Sequence, residues 1–216
     1  MNKQPIIIAS APRSGSSLIS YMLNELGVFV GNCKKPDKWN VNGYFENIPI
    51  TDIVVKYLKE NDIHNLGKKY QPINLDKKFE HFGHKINNTI LKQGLQKGEN
   101  WLYKNPKTPI CWRLFNEHFP NAKWIILERN TKEHLNSLLR TKFMDAYDTE
   151  KEWLDFINIY KNYHNDIRKN CNTITINMSD MFNDNKNLIN NICEFLDIEK
   201  KDVSYCLNKK VWNEKK

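Results

Sequence analysis

The sequence has no run of about 18 or more apolar residues, so nothing in it reads as a membrane span. Its cysteines (Cys33, Cys111, Cys171, Cys193 and Cys206) are odd in number and form no close pair. That excludes a disulfide framework and a zinc-ligand spacing, and it points to free thiols in a reducing, cytoplasmic setting. The apolar run within Met1–Ala11 is too short for a secretory leader, and Pro12 and Arg13 follow it at once. No internal repeat or linker-like segment is visible. Arginine is scarce, at 5 against 28 lysines. With lysine used so widely, an arginine that persists marks a place where the planar guanidinium fork matters, above all phosphate binding.

What is present suits a single domain over residues 1–216, with 40% hydrophobic and 27% charged residues. The net charge of +8 favours an anionic partner. The lysines are scattered, however, and no nucleic-acid recognition motif occurs, so a nucleic-acid partner is not expected.

Pro5-Ile6-Ile7-Ile8-Ala9-Ser10 reads as a buried strand, Ala11–Ser17 as a turn, and Leu18, Ile19, Met22, Leu23 and Leu26 as one face of a helix stopped by Gly27. Residues 31–50 read as irregular, and 51–100 as mostly helical around a loop at Gly67–Asp76. Further strands are expected at Trp101–Tyr103, Trp124–Leu127 and Thr173–Ile176. Further helices are expected at Pro109–His118, Thr131–Arg140, Thr149–Asn170 and Leu188–Leu196, the second of these opened by an Asn130/Glu133 capping box. This alternation predicts an α/β fold: a central parallel sheet flanked by helices in three layers. Residues 209–216 read as a frayed basic tail. His81 and His84 have no acid or cysteine cluster beside them and read as surface or packing residues, so no metal is expected.

The loop Pro12-Arg13-Ser14-Gly15-Ser16-Ser17 joins a buried strand to a helix, which presents backbone N–H groups and the helix dipole to an anion. Gly15 lets the backbone come close to a phosphate, Ser14, Ser16 and Ser17 offer hydroxyls, and Arg13 adds a fixed charge. An ATP-type P-loop would need glycine at position 10 and lysine at position 16. Both are serine here.

This loop resembles the 5′-phosphosulfate loop of sulfotransferases that use 3′-phosphoadenosine 5′-phosphosulfate (PAPS), and the likeness continues at Phe119-Pro120-Asn121-Ala122-Lys123-Trp124-Ile125-Ile126-Leu127-Glu128-Arg129. In that family an arginine ends an inner strand and a serine follows eight residues later, as Arg129 and Ser137 do here. Threonine (Thr131) stands where bacterial members usually have proline. Asn177–Met181 and Ile192–Leu196 resemble the family's last strand and helix, although Met178-Ser179 replaces the usual Tyr-Glu. The likeness covers roughly residues 5–30 and 101–198.

The resemblance implies a P-loop-like fold and sulfuryl transfer from PAPS, leaving adenosine 3′,5′-bisphosphate, to a small-molecule or carbohydrate acceptor. It implies that Arg13–Ser17 hold the 5′-phosphosulfate and that Arg129 and Ser137 hold the 3′-phosphate. Lys104, ahead of a turn at Asn105-Pro106, joins Arg13 as a cation at the leaving oxygen. Where many cytosolic members carry a general-base histidine this chain has Pro106, and Gly43-Tyr44-Phe45-Glu46 resembles the Gly-aromatic-aromatic-Glu stretch of bacterial members, which implies Glu46 as the base and residues 31–100 as the acceptor side. Trp39, Tyr44 and Phe45 are candidates for the acceptor wall or for core. The glycine-rich C-terminal loop of cytosolic members is absent, with Lys209 and Lys210 as electrostatic substitutes. Two other readings remain open from the residues: a nucleotide or small-molecule kinase, and a non-catalytic anion- or RNA-binding protein.

Overall fold

Three short apolar segments and a mixed one at the edge build the sheet in a computed structural model of the chain, which describes residues 4–38, 40–71, 73, 81–141 and 147–207. They are β1 (Ile6–Ala9), β2 (Leu102–Lys104), β3 (Lys123–Glu128) and β4 (Asn172–Asn177), all parallel, in the order β2-β1-β3-β4. Each face of a sheet takes alternate side chains, and here both faces are apolar. Ile7, Ala9, Trp124 and Ile126 point into one core, and Ile6, Ile8, Ile125 and Leu127 into the other.

Helices cover both faces. Around the first core lie α2 (Ile48–Glu60), α3 (Phe82–Lys92), α4 (Trp112–His118) and part of α6 (Glu150–Asn170), which contribute Val54, Ile86, Phe115 and Ile167 among others. On the second lie α1 (Ser16–Glu25), α8 (Asn185–Leu196) and a 3-10 turn at Ser204–Leu207. α5 (Thr131–Leu139) packs on α6 around Leu138, Trp153, Phe156 and Tyr160. The three-layer α/β arrangement is the one the alternation predicts.

Several boundaries differ from expectation, for local reasons. α2 starts at Ile48, inside the stretch expected to be irregular, because the Asn47 side chain accepts from the Ile50 N–H (3.2 Å) and Pro49 sits in the first turn, where its missing N–H costs nothing. The helix expected from Pro109 begins at Trp112, after a run of turns. A short α7 (Asp180–Asn183) precedes α8, which begins at Asn185 under an Asp184 cap. At α5 the Asn130 cap accepts from Lys132 and Glu133 N–H groups (3.0 and 3.3 Å), but Glu133 turns to Arg129; the reciprocal box forms at Thr149–Glu152 instead. Trp39, the tail at 209–216 with Lys209 and Lys210, and part of the 67–76 loop lie outside the described residues.

The strand order fixes where a ligand can enter. The chain runs from β1 to β2 on one side, then crosses to β3 on the other, so a crevice opens between the carboxyl ends of β1 and β3. Those two ends carry Pro12–Ser17 and Arg129.

The long crossover from β1 to β2 is clipped to itself by a buried amide pair. Asn47 Nδ2 donates to Gln93 Oε1 (2.7 Å) and to the Val30 carbonyl (3.1 Å), and Gln93 Nε2 returns a bond to Asn47 Oδ1 (3.2 Å). Gly31 leaves room for the pair: its φ is 65°, and a Cβ there would lie 2.1 Å from Gln93 Oε1 and 2.5 Å from Asn47 Nδ2. Gly31→Ala should therefore cost about 2–3 kcal/mol, combining left-handed strain with loss of the amide pair. Denaturant unfolding measures this, and an unchanged midpoint would remove the clip from the account.

Candidate active site

The anion loop is built from left-handed backbone. Arg13 (φ 65°) and Gly15 (φ 90°) alternate with ordinary residues, a geometry that turns successive N–H groups to one side, and Gly15 caps α1. The Ser14 hydroxyl donates to the Ala11 carbonyl at 2.5 Å, so it closes the loop rather than facing a ligand. Ser16 is buried in the first turn of α1, and its carbonyl accepts from the Ser20 hydroxyl at 2.8 Å.

The loop carbonyls are held from behind. His134 Nε2–H donates to the Pro12 carbonyl at 2.7 Å, and Arg129 Nη1 donates to the Arg13 carbonyl at 3.1 Å. With their carbonyls taken, residues 12 and 13 leave the amide side of the loop to the crevice. Ser137 lies buried on the same helix as His134, one turn further on.

Three of the five arginines gather here. Burial lowers the Arg13 pKa, and the Arg140 charge lowers it further; burial also lowers that of Arg129, with Glu133 opposing and Arg13 and Arg140 adding to the shift. Arg129 Nε lies 3.5 Å from a largely exposed Glu133 carboxylate. Arg13 Nε is buried with no hydrogen-bond partner among the described residues. A cluster of like charges with unused donors suits a polyanion.

Across the crevice stands a buried cation. Lys104 is 2% exposed at the end of β2, and its Nζ donates to the Tyr44 carbonyl (2.7 Å), Glu46 Oε1 (3.1 Å) and Ser17 Oγ (3.3 Å). Burial lowers its pKa, and the Glu46 carboxylate opposes that shift. Asn105 Nδ2 reaches Glu46 Oε2 at 3.5 Å and Thr51 Oγ1 at 3.2 Å. The backbone that carries Glu46 is strained at Phe45, whose φ is 54°. Lys34 Nζ lies 4.0 Å above the Tyr44 ring, and the Tyr44 hydroxyl bonds both oxygens of Asp37 (3.0 and 2.9 Å).

The described candidates thus fall around one crevice, the Arg13–Ser17 loop with Arg129 and Ser137 on one side, Lys104 and Glu46 on the other, joined through Ser17. The Ser14 hydroxyl, expected to face the anion, closes the loop instead. A cavity of about 380 Å³ lies behind the loop, lined by Ser14, Arg129, Asn130, His134, His164 and Asn177 among others. His81 and His84 are exposed, away from these groups, and the described residues hold no cluster of three or more His, Cys, Asp or Glu that could bind a metal.

Sequence reasoning missed His134, Asn105 and Arg140. A lone helix histidine and an asparagine beside a proline carry no spacing signal. Arg140 did carry one: it is a third scarce arginine, three residues beyond Ser137.

Burial holds both His134 and His164 far below the ordinary histidine range, at about 4 and about 3. The unfolded chain takes up these protons near pH 6.5, and the folded chain does not. Stability from the neutral rings is therefore complete above about pH 6.5 and is lost as pH falls toward 4, at up to ~1.4 kcal/mol per pH unit for each ring. His134→Gln keeps an amide donor for Pro12 without a titrating group, so it should flatten that slope by roughly one proton. An unaltered slope in denaturant titrations at pH 4–6.5 would show that His134 is not held neutral.

Comparisons with known proteins place this geometry. The sulfotransferase domain from the Curacin biosynthetic pathway superposes with a TM-score of 0.62 at 12% identity, covering 94% of this chain and 77% of that one. The sulfotransferase domain of the Synechococcus PCC 7002 olefin synthase gives 0.62 at 19% identity, over 95% and 76%. Sulfotransferase STF9 from Mycobacterium avium gives 0.56 at 14%, over 100% and 69%. At these identities the likeness is one of fold. Among curated proteins none matches the chain. The sequence profile of the Sulfotransferase family matches residues 5–202, nearly the whole length, and the chain belongs to that family of sulfuryl-transferring enzymes.

Proposed function

We propose that this protein transfers a sulfuryl group from PAPS to a hydroxyl or amine of a small-molecule or carbohydrate acceptor, as a cytoplasmic enzyme. The main support is one contact: Arg129 Nη1 reaches the Arg13 carbonyl at 3.1 Å, across 116 residues of sequence. It draws together the two motifs that, by resemblance, grip opposite ends of the nucleotide. The residues present fit such a ligand, since the crevice carries the buried, unpartnered Arg13 Nε and three guanidiniums. The five cysteines are free, and no described helix is long and apolar enough to cross a membrane.

PAPS, when bound, supplies the sulfuryl group and departs as adenosine 3′,5′-bisphosphate. The loop amides, with Arg13 and Ser17, hold the 5′-phosphosulfate, and Arg129 and Ser137 hold the 3′-phosphate. Glu46 takes the proton from the acceptor hydroxyl as the acceptor oxygen bonds to sulfur. Lys104 would exchange its longest contact, the 3.3 Å bond to Ser17 Oγ, for one to the oxygen that gains charge as the sulfuryl group leaves the nucleotide. The 3.1 Å contact between Lys104 and Glu46 keeps the two groups that must act together on one side of the crevice.

Glu46→Gln keeps a hydrogen-bond acceptor for Lys104 and should lower turnover by ~10²-fold or more while leaving bisphosphate affinity nearly unchanged. Wild-type turnover in the variant would remove Glu46 from the mechanism. In thermal unfolding, adenosine 3′,5′-bisphosphate at about 100 times its Kd should add about 2.7 kcal/mol of stability, and ATP with magnesium little. The reverse would favour a kinase, and a shift with neither would favour a non-catalytic anion-binding protein.

A further inference from the structure

Arg140 stands at the carboxyl end of α5, where its role is not set by either motif. The helix that carries it is fixed to the anion loop at two points: His134 Nε2 on the Pro12 carbonyl (2.7 Å), and Arg129, just before its first turn, on the Arg13 carbonyl (3.1 Å). Residues three and four apart share a helix face. His134 and Ser137 are buried on the loop side, and the Thr141 hydroxyl bonds the Ser137 carbonyl at 2.7 Å, which continues that face past the helix end. Arg140 follows Ser137 by three residues and borders the same face.

The side chain is exposed, and its one recorded bond is from Nε to the Asn136 carbonyl at 3.1 Å. Among the described residues no carboxylate pairs with it. That bond spends Nε and leaves the two terminal nitrogens, the fork that recognises phosphate, without a partner among the described residues. The Arg140 charge is felt at both Arg13 and Arg129, so it belongs to the charge cluster around the loop. A surface arginine with no such task would gain by standing away from two buried guanidiniums.

We propose that Arg140 is a third phosphate-reading arginine of the crevice and sets the preference for an adenine nucleotide phosphorylated at the 3′ position over its 3′-hydroxyl counterpart. The inference rests on the PAPS reading and deepens it. It assigns to a residue of α5 part of the work for which the sequence offered Lys209 and Lys210. The 5′ end of the nucleotide is served by the loop amides and Arg13, so losing Arg140 should be felt at one phosphate only.

Calorimetric titration of the full chain with adenosine 3′,5′-bisphosphate and with adenosine 5′-monophosphate tests this. The wild type should bind the bisphosphate more tightly. Arg140→Gln should weaken bisphosphate binding tenfold or more and change monophosphate binding less than twofold. Arg140→Lys, which keeps the charge but not the fork, should fall between. Arg113→Gln, on α4, should leave both affinities unchanged. Because Arg140 is exposed, neither of its substitutions should move the unfolding midpoint of the free protein, and an unmoved midpoint separates lost binding from lost fold. Equal weakening of both nucleotides, or no weakening in Arg140→Gln, overturns the assignment while leaving the PAPS reading intact. A wild-type chain that fails to bind the bisphosphate overturns both.

Discussion

A loop that offers its amides to an anion must dispose of its carbonyls, and in this protein that requirement organises the site. Pro12 and Arg13 would otherwise direct electronegative oxygens toward the same crevice. His134 and Arg129 take one each, from behind. The left-handed turn at Arg13 is uncommon for a residue with a side chain, and these two bonds, with Ser14 closing on Ala11, hold it in place. Arg129 thereby serves twice, as a tether through Nη1 and as a charge through the rest of its fork. The histidine must stay neutral in its burial, and the carbonyl it meets requires Nε2 to carry the hydrogen.

The second half of the site rests on a different constraint, the burial of a full charge. Lys104 is removed from water at the end of β2, and a buried ammonium persists only if its donors are satisfied. Three oxygens do this: the Tyr44 carbonyl, Glu46 and Ser17. Ser17 belongs to the anion loop, and Tyr44 and Glu46 lie just ahead of α2, so one ammonium links the two sides of the crevice. Glu46 is set in turn by Asn105 and by the Asn47 cap that starts α2 one residue later. Desolvation makes such contacts stronger than their surface equivalents.

Much of this was legible in the residues. The apolar runs at Ile6–Ala9 and Trp124–Leu127 announce inner strands, because only a strand buried on both faces uses so unbroken a pattern. Scarcity of arginine directed attention to Arg13 and Arg129, and the eight-residue step to Ser137 supplied the family. Other features could not be read in that way. The start of α2 turned on a single Asn47 cap inside a stretch full of turn formers, and the competing Arg129 contact that draws Glu133 from its capping role depends on tertiary placement. His134 and Asn105 act through contacts with segments 122 and 59 residues away, which no local pattern encodes. Trp39 and the basic tail stand beyond what the described residues can address.

Past α1, the crossover from β1 to β2 carries Lys34, Tyr44 and Glu46 ahead of α2, on a stretch closed by the Asn47–Gln93 amides and tied to the anion loop through Lys104, while α2 and α3 beyond it belong to the first core. A segment so arranged is free to diverge. Insertions or trims between Asn32 and Gly43 would reshape that side of the crevice and leave the arginine side and the core as they are, which on the reading proposed above gives natural selection a route to new sulfated products.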